Sequence, residues 1–126
     1  PVWIRGIDHR IDPHGLGVRD LTTSPSTALA AARAGVGDGP VDLAELHAPF
    51  THQEVILRRA LGLGDDVSVN PSGGPLAANP LIAAGLIRIG EAATRIARGE
   101  ARRAVAHATN GPCLQQNLVC VLEGSD

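Results

Sequence analysis

The sequence predicts an α/β domain in which helices layer a mixed sheet of five strands. Alternating apolar and polar residues mark strands near both ends and at points between them. Helix-start signals of the Ser-Pro, Thr-x-x-Glu and Asn-Pro kinds fall in the gaps. The resulting order is strand, helix, strand, helix, strand, helix, strand, strand. At 126 residues the chain accommodates one core, since about two thirds of its extended surface would be buried at this size. Residues 1–126 are therefore expected to form one domain.

The first strand is expected over Val2 to Asp8, where Val2, Ile4 and Gly6 alternate with Trp3, Arg5 and Ile7. A long Gly- and Pro-bearing loop carrying His9 and His14 follows it, and loops of that length are usually functional or mobile. Ser24-Pro25 reads as an N-cap with proline at the first helical position, opening an Ala-rich helix to about Ala34 that stops at Gly35. Val41 to His47 alternates again, a strand that delivers His47 at its C-terminal end. Thr51 to Glu54 fits a capping box for a helix from roughly His52 to Leu61. Val67 to Asn70 is a short strand. Asn79-Pro80 repeats the cap-plus-proline signal before the longest helix, in which Ile82, Leu86, Ile89, Ala93 and Ile96 recur at helical steps and Gly99 ends the run. Arg103 to Thr109 and Asn117 to Leu122 are the last two strands.

Composition removes several function classes. Apolar residues make up 44% and charged residues 19%, the balance of a globular domain. The net charge of −2 gives no basic field, and Trp3 and Phe50 are the only aromatics, so no nucleic acid is expected as a partner. Every basic residue is Arg, and the absence of Lys and Tyr excludes lysine Schiff-base or tyrosine chemistry from this chain. The most apolar stretch, Pro80 to Ala97, is interrupted by Arg88, Glu91 and Arg95, so no membrane span is expected. No signal-peptide pattern is read at the start. Cys113 and Cys120 have neither zinc-site nor disulfide-framework spacing, which points to a cytoplasmic location.

Three polar loops stand at strand ends, around His47, around Asn70 to Pro80, and from His107 to Asn117. In helix-covered sheets, sites gather outside strand C-termini, so these loops are candidates for one shared pocket. Their order and content resemble a family. Glu45-Leu46-His47-Ala48-Pro49-Phe50 is similar to the ELHDCF segment of sterol-carrier-type thiolases, and Val69-Asn70-Pro71-Ser72-Gly73-Gly74 to the VNPSGG that precedes their GHP motif. Asn79-Pro80, followed by Ala83-Ala84-Gly85-Leu86, sits where those proteins read GHP and start a helix. Arg19-Asp20-Leu21-Thr22 ahead of a Ser-Pro helix resembles the same group.

The resemblance is to the C-terminal half of a thiolase, and it implies a thiolase-like half: a mixed five-stranded sheet layered with α-helices. The nucleophilic cysteine of the family belongs to the other half. His47 matches the histidine that helps hold the thioester oxygen or a catalytic water, a role for a polarising donor; otherwise it is a strand-end histidine bonded to backbone. Pro49 replaces a family cysteine. Asn79 occupies the place of the GHP histidine, and its amide donates a hydrogen bond but takes no proton at neutral pH; it also reads simply as a helix cap.

Cys113 lies near the cysteine of the family's CxG loop, or is a small buried hydrophobe. Ser72, Gly73 and Gly74 let the backbone approach a thioester or pantetheine arm, or form a plain turn. Phe50 and His107 complete the expected substrate contacts, with Gln115, Gln116 and Asn117 behind them. His9, His14 and His52 read as solvated or capping, and Cys120 as core.

The resemblance implies an acyl-CoA thioester as substrate, with no bound cofactor and no metal. It also implies carbon–carbon bond cleavage or formation beside the thioester, with lipid or steroid side-chain metabolism as the setting. Loss of the GHP histidine favours retro-aldol cleavage over thiolysis, and any base is then His47 or lies in the other half. The alternative is a non-catalytic acyl-CoA-binding or scaffold subunit. The expected partners are a thiolase N-terminal half or companion chain, in a homo- or hetero-oligomer, and a small zinc-ribbon and OB-fold acyl-CoA-binding protein.

Overall fold

The computed structural model describes residues 1–125. It contains a single mixed sheet of five strands: β1 (Val2–Ile11), β2 (Leu43–Glu45), β3 (Ser68–Val69), β4 (Arg103–Asn110) and β5 (Gln116–Gly124), in the order β1-β5-β4-β2-β3. The long strands β1, β5 and β4 pair antiparallel, while β2 lies parallel to β4 and β3. Four helices complete the fold: α1 (Pro25–Ala34), α2 (Thr51–Leu61), α3 (Gly74–Ala77) and α4 (Ala84–Ala97). The predicted order of strands and helices is thus observed, with α3 added.

Alternation along β4 and β5 sends successive side chains to opposite faces and builds two cores. Val105, Val119 and Val121 meet Ala30, Ala31 and Ala34 of α1 and Leu57 and Leu61 of α2. Ala104, Ala106, Cys120 and Leu122 meet Ala92 and Ile96 of α4 on the other side. Burial there pushes the Cys120 thiol up to about 11, so the residue acts as a core hydrophobe. A Cβ on Gly6 would strike the Ala34 carbonyl oxygen, so the missing side chain lets α1 lie against β1.

The differences from the sequence reading have identifiable causes. β1 runs on to Ile11, because β5 offers partners through Gln116, and His9 therefore lies in a strand rather than a loop. The strands around 41–47 and 67–70 shrink to Leu43–Glu45 and Ser68–Val69; past β2 the Leu46 amide donates to the Asn70 side chain instead of to a neighbouring strand. Ser24 caps α1 in position, but its hydroxyl pairs with Thr27 (2.7 Å), and Asp12 supplies the helix start by accepting from the Ser26 amide (3.2 Å) and hydroxyl (2.6 Å).

No capping box forms at α2: its N-cap is Phe50, and Glu54 accepts from Asn70 Nδ2 (3.1 Å) instead. Asn70 Oδ1 accepts the Leu46 amide (2.6 Å), so this one carboxamide ties the two loops together. Asn79-Pro80 does not open the long helix. Leu81 takes a left-handed φ of 47°, which breaks helical continuity, and a 3-10 turn over Leu81–Ala83 precedes α4. The apolar stripe of α4 is rotated from the one expected. Ala84, Arg88, Ala92 and Ile96 face the sheet, whereas Ile82 and Leu86 stand in the open.

Candidate functional site

The C-terminal ends of β2 and β4 open into a cleft of about 540 Å³ that gathers the loop after β2, the turn before α4 and the β4–β5 loop. His47, Phe50, Asn79 and Cys113 all line it, together with Gln53, Gly85, Thr109 and the apolar Pro49, Leu81, Ile82 and Ala108. A second concavity of the same volume lies at the other end of the sheet. Its charged walls are already paired, with Arg5 and Arg103 on Glu123 and the Asp42 carboxylate accepting the Arg103 amide.

His47 stands two residues past the end of β2 and is buried. Its Nδ1 accepts the backbone N–H of Thr109 on β4 at 3.3 Å. Burial pushes its pKa below the ordinary histidine value. The adjacent Asn79 side chain favours the charged form and the Arg88 guanidinium opposes it. With Nδ1 accepting, the proton of the neutral ring sits on Nε2, so the imidazole is a donor at its free end. The Asn79 side-chain oxygen is buried and has no other partner.

Cys113 is exposed at the cleft rim, in a turn where Gly111, Cys113 and Leu114 all have left-handed backbone (φ 75°, 53° and 57°). Strained geometry of this kind persists only when the surroundings hold it. Here the Arg19 guanidinium donates to the carbonyls of Pro112 (3.1 Å) and Cys113 (3.2 Å), and Asn117 Nδ2 donates to that of Leu114 (2.7 Å).

Four expected site residues lie elsewhere. Ser72, Gly73 and Gly74 do not line the cleft. The Ser72 amide and hydroxyl donate to Glu45 (3.0 and 2.7 Å), and Arg88 donates to both Glu45 (2.8 Å) and Ser72 (2.9 Å). This is a buried ion pair that anchors the loop after β3 to the end of β2. His107 is fully buried, with Nε2 on Asn117 Oδ1 (2.9 Å), and Asn117 continues to Ser26 (2.8 Å) and so to Asp12. Desolvation pushes His107 down to about 4, against the Asn117 bond and with the help of the His47 charge. It is a structural neutral imidazole behind the cleft. Of the other histidines, His9 is exposed on β1, His14 lies 3.4 Å from the Gln115 carboxamide, and His52 stacks on Phe50 with centroids 5.9 Å apart.

Sequence reasoning missed Gln53, Thr109 and Gly85. Gln53 was concealed inside the apparent capping box, although its place one turn into a helix, six residues after His47, returns it to the same cleft. Among the described residues no group of three or more His, Cys, Asp or Glu side chains is placed to hold a metal ion, and no helix is long and apolar enough to cross a membrane.

No protein-family model and no curated protein matches the sequence. Among solved structures the chain is similar to the crystal structure of a monomeric SCP2-thiolase like protein type 1 (STLP1) from Mycobacterium smegmatis. The TM-score is 0.80 at 20% identity, over 99% of this chain and 29% of that one. The chain thus spans less than a third of that protein's length. Its mixed five-stranded sheet with helices on both faces is a thiolase-like fold of the SCP2 type.

Proposed function

We propose that this chain supplies the oxyanion-stabilising side of a site that acts on acyl-CoA thioesters, with retro-aldol cleavage of a 3-hydroxyacyl thioester favoured over thiolysis. One observation carries this reading: His47, held with its Nδ1 on the Thr109 amide, presents Nε2–H beside the Asn79 carboxamide in a single cleft. A fixed donor at that place stabilises negative charge developing on a thioester oxygen, and preorganised donors of this kind are typically worth about a hundredfold or more in rate. In retro-aldol cleavage a base takes the proton of the 3-hydroxyl and the carbon–carbon bond between the 2 and 3 positions breaks. The 3-carbon becomes a carbonyl, and the bonding pair moves onto the thioester as an enolate, which a proton then quenches at carbon 2. Asn79 is not a base, and His47 becomes one only by surrendering the Thr109 bond. The base is therefore left to Cys113 at the cleft rim or to a companion segment or chain.

The companion fits a second feature. By register Ile4, Ile7 and Ile11 share the α4 side of the sheet, yet all three are exposed, as are Ile82 and Leu86 at the start of α4. Apolar patches of that kind mark interaction surfaces. The same patch also favours the alternative reading, a non-catalytic acyl-CoA-binding or scaffold subunit.

The test is to assay the purified protein, alone and with the polypeptide encoded beside it, against 3-hydroxyacyl-CoA and 3-ketoacyl-CoA. Release of a shorter acyl-CoA with a ketone or aldehyde, lost in His47→Ala, is the expected result. Cleavage of neither substrate, with thioester affinity indifferent to His47→Ala, would sink the enzyme reading.

A further inference from the structure

We infer that Gln53 is the residue that reads the acyl substituent, its side-chain oxygen accepting the 3-hydroxyl of the bound thioester; the inference rests on the thioester reading above and narrows its substrate class. Gln53 lies in the first turn of α2, which the chain enters immediately after Pro49 and Phe50. Its side chain lines the cleft with His47 and Asn79, and it is only 8% exposed. Its Oε1 is nevertheless buried without a hydrogen-bond donor. Unpaired buried acceptors are rare in folded proteins because they forfeit the bonds they made to water, so one at a cleft wall calls for a donor from the occupant.

None of the donors that share the cleft bonds to that oxygen. The Thr109 hydroxyl donates to the Gln116 carbonyl (2.9 Å), and neither His47, Asn79 nor Asn110 makes a hydrogen bond to Oε1. Asn79 presents a second buried oxygen with no ideal partner, so the polar wall around His47 is rich in acceptors. A 3-hydroxyacyl group brings an O–H to such a wall. A 3-ketoacyl group brings only another acceptor, which faces Oε1 with like charge, and an unsubstituted acyl chain brings nothing. Sites built to bond a hydroxyl discriminate against analogues that lack it, because the protein group is then left unpaired.

The experiment compares affinities of the full chain for 3-hydroxybutyryl-, acetoacetyl- and butyryl-coenzyme A by calorimetry, in the parent protein and in Gln53→Met and Gln53→Glu. The parent is expected to prefer the hydroxyacyl ester by about tenfold over the other two, the size of one net hydrogen bond. Gln53→Met, nearly isosteric but without the oxygen, brings the three affinities to within about twofold of one another. Gln53→Glu, which keeps an acceptor there, preserves the preference and serves if Gln53→Met does not fold. The ratio is the readout because a merely structural role for Gln53 would weaken all three esters alike. A hydroxyl preference untouched by Gln53→Met, an equal loss for all three esters, or a parent preference for the keto ester overturns the assignment while leaving the thioester site in place. Failure of all three esters to bind the parent overturns the thioester reading, and this inference with it.

Discussion

The Nδ1 atom of His47 accepts the backbone N–H of Thr109 at 3.3 Å, joining the end of β2 to the parallel strand β4 across the mouth of the cleft. The bond fixes the tautomer. Protonating the ring would put two N–H groups face to face, which adds to the desolvation that already lowers the His47 pKa. Activity that depends on His47 as a neutral donor should therefore be level with pH above the ordinary histidine value of 6.5 and fall only below it. His47→Gln, which keeps a donor, should retain more turnover than His47→Ala, for which a loss of about a hundredfold is expected. A pH–rate profile that rises through the normal histidine range and vanishes in His47→Gln would instead make His47 a general base.

His107 gives a separate pH signature, in stability rather than rate. Its pKa is lowered to about 4 in the fold, from 6.5 in the unfolded chain. Between these values the unfolded state binds more protons. The stabilisation is complete above pH 6.5 and is lost as pH falls toward 4, amounting to about 3 kcal/mol. Urea midpoints measured at pH 7 and pH 4.5 should differ accordingly. In His107→Gln, which still donates to Asn117 Oδ1, much of that difference should disappear.

The legibility of the sequence divides along the range of the interactions involved. The alternation in Arg103 to Thr109 and Asn117 to Leu122 located β4 and β5 because each face of the sheet has its own core, and period-two burial is a local pattern. His47, Asn79, Phe50 and Cys113 were legible as neighbours lining one cleft because they stand at strand ends and loops of matching motif. The misplaced features depend on contacts between distant segments. Glu54 was drawn from its expected cap by Asn70, sixteen residues on, and Ser72 was bound by Glu45 and Arg88. His107 looked like a pocket residue beside its loop, but strand alternation turns it toward Asn117 and the interior. Nothing local marks the left-handed backbone of Leu81 or Cys113, both non-glycine positions held by their surroundings.

The Arg88–Glu45 pair offers the most direct test of what the loop after β3 does. Both partners are buried, Glu45 completely, and the bond is 2.8 Å. Removing Arg88 leaves the buried Glu45 carboxylate only Ser72 and a longer 4.0 Å contact with Arg95, so Arg88→Met should destabilise the fold by about 3 kcal/mol. Ser72→Ala removes three hydroxyl bonds, to Glu45 and from Arg88 and the Gly74 amide, but no charge, and a loss of about 1–2 kcal/mol is expected. Because Ser72 lies outside the cleft, thioester affinity of folded Ser72→Ala should equal that of the parent. A marked drop in affinity without a change in stability would return Ser72 to the binding site.

Gly85 sets how closely α4 approaches β4 where both line the cleft. A Cβ at this position would lie 2.5 Å from the Ala108 Cβ, a contact that no flexible side-chain end can relieve. Two effects compete in Gly85→Ala. Alanine favours the helix by about 1 kcal/mol. Overpacking two short side chains forces the helix start away from the strand, at a typical cost of about 1–3 kcal/mol. Overpacking should win, since both groups are fixed to backbone, and the Tm should fall. Trimming the opposing residue supplies the control: Ala108→Gly in the Gly85→Ala background reopens the space, so stability should recover beyond what the two single changes sum to. If Gly85→Ala raised the Tm, helix propensity would outweigh the contact, and the close packing of α4 on β4 could not be what shapes the cleft floor.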